Sequence, residues 1–119
     1  MALIAIVDDQ ITNRRIYSRL AASLVPGADV QSFADPIKAL EWSKGNIPDI
    51  VISDFQMGTM NGASFTAAFR AQAGCEDVPV IIVTAFEDKS FRYRALDAGA
   101  TDFITSPGDA REFGTRLRN

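Results

Sequence analysis

Four short apolar runs punctuate the chain: LIAIV at Leu3–Val7, DIVIS at Asp49–Ser53, VPVIIVT at Val78–Thr84 and TDFIT at Thr101–Thr105. Three of them are nearly continuous rather than alternating, the pattern of strands covered on both faces. DVQSF, from Asp29 to Phe33, is a weaker fifth strand. Between these runs the apolar spacing widens to three or four residues, which predicts helices. Ile16, Leu20 and Leu24 mark the first, stopped by Pro26 and Gly27. Asp35 and Pro36 give an N-cap and first turn for the second, with Ile37 and Leu40 inward and Gly45 as the stop. Asn61 caps a third, which carries Phe65, Ala68 and Phe69 and ends near Gly74. Phe91, Ala95 and Leu96 lie on a fourth that ends at Gly99, and Ala110, Phe113 and Leu117 on a fifth.

A strand followed by a helix, five times over with short loops, predicts an α/β fold. Its parallel sheet is covered on both faces and joined by right-handed crossovers. Ligands of such open sheets bind beyond the carboxyl ends of the strands, where the strand order reverses. That edge collects the chemistry of this chain. Asp8 and Asp9 follow the first strand, Asp54 follows the third, Thr84 closes the fourth, and Ser106 with Pro107 follows the fifth.

Composition narrows what that chemistry can be. The 119 residues make one domain, 47% hydrophobic and 23% charged, with no run of like charges. A net charge of −3 provides no broad positive field, so direct nucleic-acid binding is not expected. The run Leu3–Val7 is too short for a membrane span or a signal-peptide core, and a cytoplasmic location is expected. Cys75 is the single cysteine and histidine is absent, which excludes an internal disulfide and histidine-based triads. Carboxylates, hydroxyls and backbone groups remain.

Taken alone, Asp8 and Asp9 would serve to cap a helix, Asp54 to start a turn, Thr84 to fill a strand and Phe103 to fill the core. Met57 and Met60 are expected to pack beneath the loop after Asp54. The joint placement asks for more. Three carboxylates at one crevice repel one another unless one is protonated or a cation sits among them. Mg2+ suits such a site, since it takes oxygen ligands and works with one or two carboxylates and a phosphate. Asp54 could then attack a phosphoryl group to give an aspartyl phosphate, with the Thr84 hydroxyl and nearby N–H groups holding its oxygens.

The stretches IVDD, ISDFQMGTMNG, IIVTA and AGATDFITSP, in that order, resemble the receiver domains of bacterial two-component response regulators. The resemblance covers nearly the whole chain. It implies a flavodoxin-like doubly wound (βα)5 fold with a five-stranded parallel sheet in the order 2-1-3-4-5. It makes residues 1–119 a receiver domain that continues into an output domain. Asp54 becomes the phosphoacceptor for a histidine kinase or phosphotransfer protein. Asp9, Asp54 and the carbonyl of Gln56 bind Mg2+, and Asp8 reaches it through water. Thr84 and Phe103 form the switch that reshapes the face made by the fourth helix, fifth strand and fifth helix. That face meets the output domain or a partner protein, and a homodimer is left open. The domain is then a transient switch rather than a turnover enzyme. The segment FRYRALDAGATDF is similar to receivers that precede cyclic di-GMP phosphodiesterase domains of the HD-GYP type.

Two positions depart from the pattern. Ser106 stands where the family has a lysine, which removes an ammonium that would face Asp54 or its phosphate; Lys89 and Arg14 are the candidate substitutes. Gly58 stands where proline is frequent, and a cis bond between Ser106 and Pro107 is expected from the family. The lost lysine raises the alternative of a degenerate receiver that binds partners without phosphate. A Mg2+-dependent phosphatase of the haloacid dehalogenase type fits less well, because there the nucleophile follows the first strand. The acidic DDQITN loop argues against a flavin phosphate. Arg92, Arg94, Arg111, Arg116 and Arg118 are read as solvated helix faces.

Overall fold

A computed structural model describes residues 2–84 and 89–105. The elements run β1 (Leu3–Val7), α1 (Ile11–Leu24), β2 (Asp29–Phe33), α2 (Pro36–Ser43), β3 (Ile50–Asp54), α3 (Gly62–Arg70), β4 (Val80–Thr84), α4 (Lys89–Asp97) and β5 (Asp102–Thr105). All five strands are parallel and lie in the order β2-β1-β3-β4-β5. The expected fifth helix, with Ala110, Phe113 and Leu117, lies outside the described residues, as do Ser106 and Pro107.

The continuous apolar strands are buried on both sides. Ile4, Ile6, Ile52, Ile81, Val83 and Ile104 face α1, where Ala21 is fully buried and Tyr17, Leu20 and Leu24 pack. Their neighbours Val7, Val51, Val80, Ile82 and Phe103 face the opposite way, into a core with Ala39, Phe65, Phe69 and Ala95 of α2, α3 and α4. β2 is the edge strand and has no fully buried residue, with Asp29, Gln31 and Ser32 exposed.

Local signals place most helix ends. The Asp35 Oδ1 accepts the Ile37 N–H at 2.9 Å, and the Asn61 Oδ1 accepts the Ser64 N–H at 2.8 Å, so both expected caps form. Gly27 and Gly99, just past α1 and α4, adopt φ of 83° and 106°, which a side chain would resist. The inward stripes are narrower than the spacing suggests. Ile16, Ile37 and Leu96 are 49%, 41% and 40% exposed, since the small residues Ala21, Ala39 and Ala95 take the positions closest to the sheet.

Candidate functional site

β1 and β3 are neighbours, with Val7 in register with Ser53. Asp8, one residue past β1, therefore stands beside Asp54, the last residue of β3. This is also where the strand order reverses, because β2 lies on the other side of β1. Asp8, Asp9 and Asp54 each offer a carboxylate oxygen within 4.8 Å of the others.

Local bonds orient these acids. The Gln10 N–H donates to Asp8 Oδ1 at 2.9 Å, the Phe55 N–H to Asp54 Oδ1 at 2.8 Å, and the Gly58 N–H to Asp9 Oδ2 at 3.2 Å. The capping explanation for the acidic pair thus holds only for Asp8 and only locally; the N-cap of α1 is Gln10, whose side chain makes no capping bond. Gly58, the second departure, ties its loop to Asp9 through its backbone.

Burial and crowding disturb the acids' titration. Asp54 is pushed up to about 7, first by desolvation and then by the neighbouring charge of Asp8, against the opposing pull of the Phe55 N–H. Asp8 is also raised, mainly by burial. At such a separation the repulsion between ionised Asp8 and Asp54 is about 3.5 kcal/mol or more at an effective dielectric near 20. The cluster is therefore a strong attractor for either a proton or a cation, and its all-oxygen donors suit a hard divalent ion.

The remaining expected residues lie on the loop after β3 and on β4 and β5. Gln56 is exposed and lines an open cavity of about 430 Å3 together with Asp9, Phe55, Gly58, Phe91 and Arg94. Thr84, 2% exposed, ends β4 next to Val83, the register partner of Asp54. Phe103 is 3% exposed, with the Arg92 guanidinium 5.1 Å from its ring centroid. Met57 is buried and Met60 packs against the core, as expected.

Two features escaped the sequence reading. Arg94 and Arg92 are exposed, as expected, but each also lies over an aromatic ring, Arg94 at 5.4 Å from the Phe55 centroid. Phe91 and Arg94 are three residues apart and so share one helix face, which is the signal that could have joined them. Gly62 is the other. A Cβ there would come within 2.6 Å of the Asp54 carbonyl oxygen, so only glycine lets α3 start against the end of β3.

A family model described as the response regulator receiver domain matches residues 4–118. The chain belongs to that family. It is thus a receiver domain of two-component signalling, with the parallel sheet order that the resemblance implied. Over 116 residues this receiver is 34% identical to the cyclic di-GMP phosphodiesterase response regulator RpfG of Xanthomonas campestris, covering 98% of this chain and 31% of that protein. The chain spans about a quarter to a half of the length of the curated relatives it matches. Among solved structures, the chemotaxis protein CheY4 of Vibrio cholerae superposes with a TM-score of 0.90 at 27% identity, covering 99% of this chain and 97% of that one. The receiver domain of the sensor histidine kinase PA1611 of Pseudomonas aeruginosa has a TM-score of 0.88 at 28% identity. It covers 98% and 94% of the two chains, and holds a magnesium ion in its active-site cleft. No helix among the described residues is long and apolar enough to cross a membrane.

Proposed function

We propose that this receiver accepts a phosphoryl group from a histidine kinase or phosphotransfer protein onto Asp54. The observation that carries the reading is the convergence of Asp8, Asp9 and Asp54 on one point at the strand-order reversal. Asp9, Asp54 and the Gln56 carbonyl would hold Mg2+, with Asp8 behind them. The ion, when bound, supplies the positive charge that keeps the acids ionised and offsets the negative charge of a phosphoryl group.

An oxygen of the Asp54 carboxylate attacks phosphorus. A new O–P bond forms as the bond from phosphorus to the donor breaks, and the departing electron pair leaves with the donor, which takes a proton from solvent. Ionised Asp54 is the competent form, and a group whose pKa is raised to about 7 is partly protonated at neutral pH until a cation joins it. The Thr84 hydroxyl would engage the phosphoryl oxygens, and the Phe103 ring would fill the space it leaves. The product is a transient acyl phosphate, so the domain acts as a cytoplasmic switch without turnover of a free substrate. Its signal passes through α4, β5 and the segment beyond to an output domain or partner protein. The likeness to RpfG favours an output of the cyclic di-GMP phosphodiesterase class.

Incubation with acetyl phosphate and Mg2+, followed by intact mass measurement, tests the assignment. Wild type is expected to gain one phosphoryl group and Asp54→Ala none. A wild-type chain that stays unmodified under donors of several kinds would leave the degenerate receiver as the better description. Release of phosphate from an ester over many turnovers would instead reveal an enzyme.

A further inference from the structure

The proposed site has an unbalanced charge. Three carboxylates converge on it, while the lysine of the family pattern is replaced by Ser106. Of the two substitutes suggested by the sequence, Lys89 opens α4 and is exposed, outside the lining of the cavity beside Asp9; Arg14 donates Nη1 to the Asp8 backbone carbonyl at 2.8 Å, offsets part of the charge on Asp8, and otherwise borders a separate groove with Arg15 and Arg19. Among the described residues, Arg94 is the cationic side chain in the lining of the cavity shared by Asp9, Gln56 and Gly58.

Arg94 is exposed but lies over a buried ring. The Phe55 ring is almost fully buried, stacks on Phe91 at 4.4 Å and 18°, and carries the Arg94 guanidinium 5.4 Å from its centroid. Phe55 directly follows Asp54 and donates its N–H to the Asp54 carboxylate. The guanidinium is thus anchored to the residue next to the proposed acceptor. The guanidinium carries five N–H donors, and a contact with a ring uses its charge without consuming them, so an oxyanion can still engage them. The cavity, about 430 Å3, is larger than a phosphoryl group alone requires.

We propose that Arg94 binds the phosphoryl group at this site, supplying from α4 the cation that the family pattern places after β5. The assignment rests on Asp54 being the phosphoacceptor. Arginine differs from lysine in presenting a planar fork that can take two phosphoryl oxygens at once. The charge also travels with α4 and Phe55, so phosphoryl binding at Asp54 would pull on that helix directly.

Beryllofluoride, a phosphoryl mimic, provides the test when titrated in Mg2+ and followed by 19F NMR, with Mg2+ alone titrated separately. Arg94→Ala is expected to weaken beryllofluoride binding about tenfold, the value of one charge-assisted hydrogen bond. Its Mg2+ affinity should hold or rise, because a repelling cation is gone. Arg94→Lys should recover only part of the loss, because an ammonium keeps the charge but not the planar fork, and Arg19→Ala, in the separate groove on α1, should bind like wild type. In a Ser106→Lys background the Arg94→Ala loss should shrink. Unchanged beryllofluoride affinity in Arg94→Ala would overturn the proposal, and so would a parallel fall in Mg2+ affinity, which marks general damage to the site. Wild type that binds no beryllofluoride and gives no Asp54 adduct would instead refute the receiver chemistry on which the proposal rests.

Discussion

Replacing Asp54 with asparagine should stabilise the metal-free domain at neutral and mildly alkaline pH. Asp54 binds its proton more tightly when folded, at about 7 against an ordinary 3.8. Between those values the native state holds more protons than the unfolded chain, so its stability falls as pH rises. The contribution is fully present below pH 4 and lost above pH 7. A three-unit shift corresponds to about 4 kcal/mol if the group were wholly sequestered. Asp54 is only partly buried and shares its titration with Asp8, so solvent screening reduces this to about 1–2 kcal/mol. Asparagine keeps the acceptor for the Phe55 N–H while removing the charge.

Urea unfolding of wild type and Asp54→Asn with a chelator, at pH 4.5 and pH 8, measures the effect. The variant should be more stable by about 1–2 kcal/mol at pH 8, or roughly 4–8 °C in melting temperature, and the gap should narrow at pH 4.5. Millimolar Mg2+ at pH 8 should narrow it too, because wild type gains binding free energy that the variant largely forgoes. A gap independent of pH, or a variant less stable than wild type at pH 8, would refute the electrostatic reasoning.

Gly62→Ala should cost about 1–3 kcal/mol and weaken Mg2+ binding, because the new methyl lies 2.6 Å from the Asp54 carbonyl oxygen and 3.0 Å from the Phe55 Cα; chemical denaturation and Mg2+ titration check both. Arg70 donates to the carbonyls of Cys75, Val78 and Gly99 and to the Thr101 hydroxyl, clamping together the turns that lead into β4 and β5. Arg70→Ala should therefore lose about 2–3 kcal/mol in urea unfolding, with Arg70→Lys recovering little because an ammonium cannot span those acceptors. Arg92→Ala removes the cation over the Phe103 ring. It should cost about 0.5–1 kcal/mol and broaden or shift the Phe103 ring resonances by NMR, while leaving Mg2+ affinity unchanged.

The strands were legible because being covered on both faces demands continuous apolar runs, and Ile4, Ile6, Ile52 and Ile81 could satisfy nothing else. Caps at Asp35 and Asn61 were legible because they are set by a few adjacent residues. The three acids could be grouped because strand ends in a parallel sheet share one edge. What escaped depends on distances between elements. The narrow buried stripe of α1 follows from how closely Ala21 lets the helix approach, so Ile16 is left outside despite its spacing. The position of Arg94 over Phe55 needs the height of α4 above the loop after β3, which no local pattern encodes.

The same layout explains how a reaction at a strand end can reach a helix. Asp54 sits at the tip of a strand whose other residues are all buried, so the backbone beneath it has little room to yield. Phe55, the next residue, leaves the strand and joins the face of α4 through Phe91 and Arg94. Within α4 only Ala95 is buried, whereas α3 buries Gly62, Ala63, Phe65, Thr66 and Phe69. An element with so little buried surface is the cheaper one to displace. A change in charge and bonding at Asp54 therefore meets a rigid strand on one side and a weakly held helix on the other, and the physics favours movement of α4.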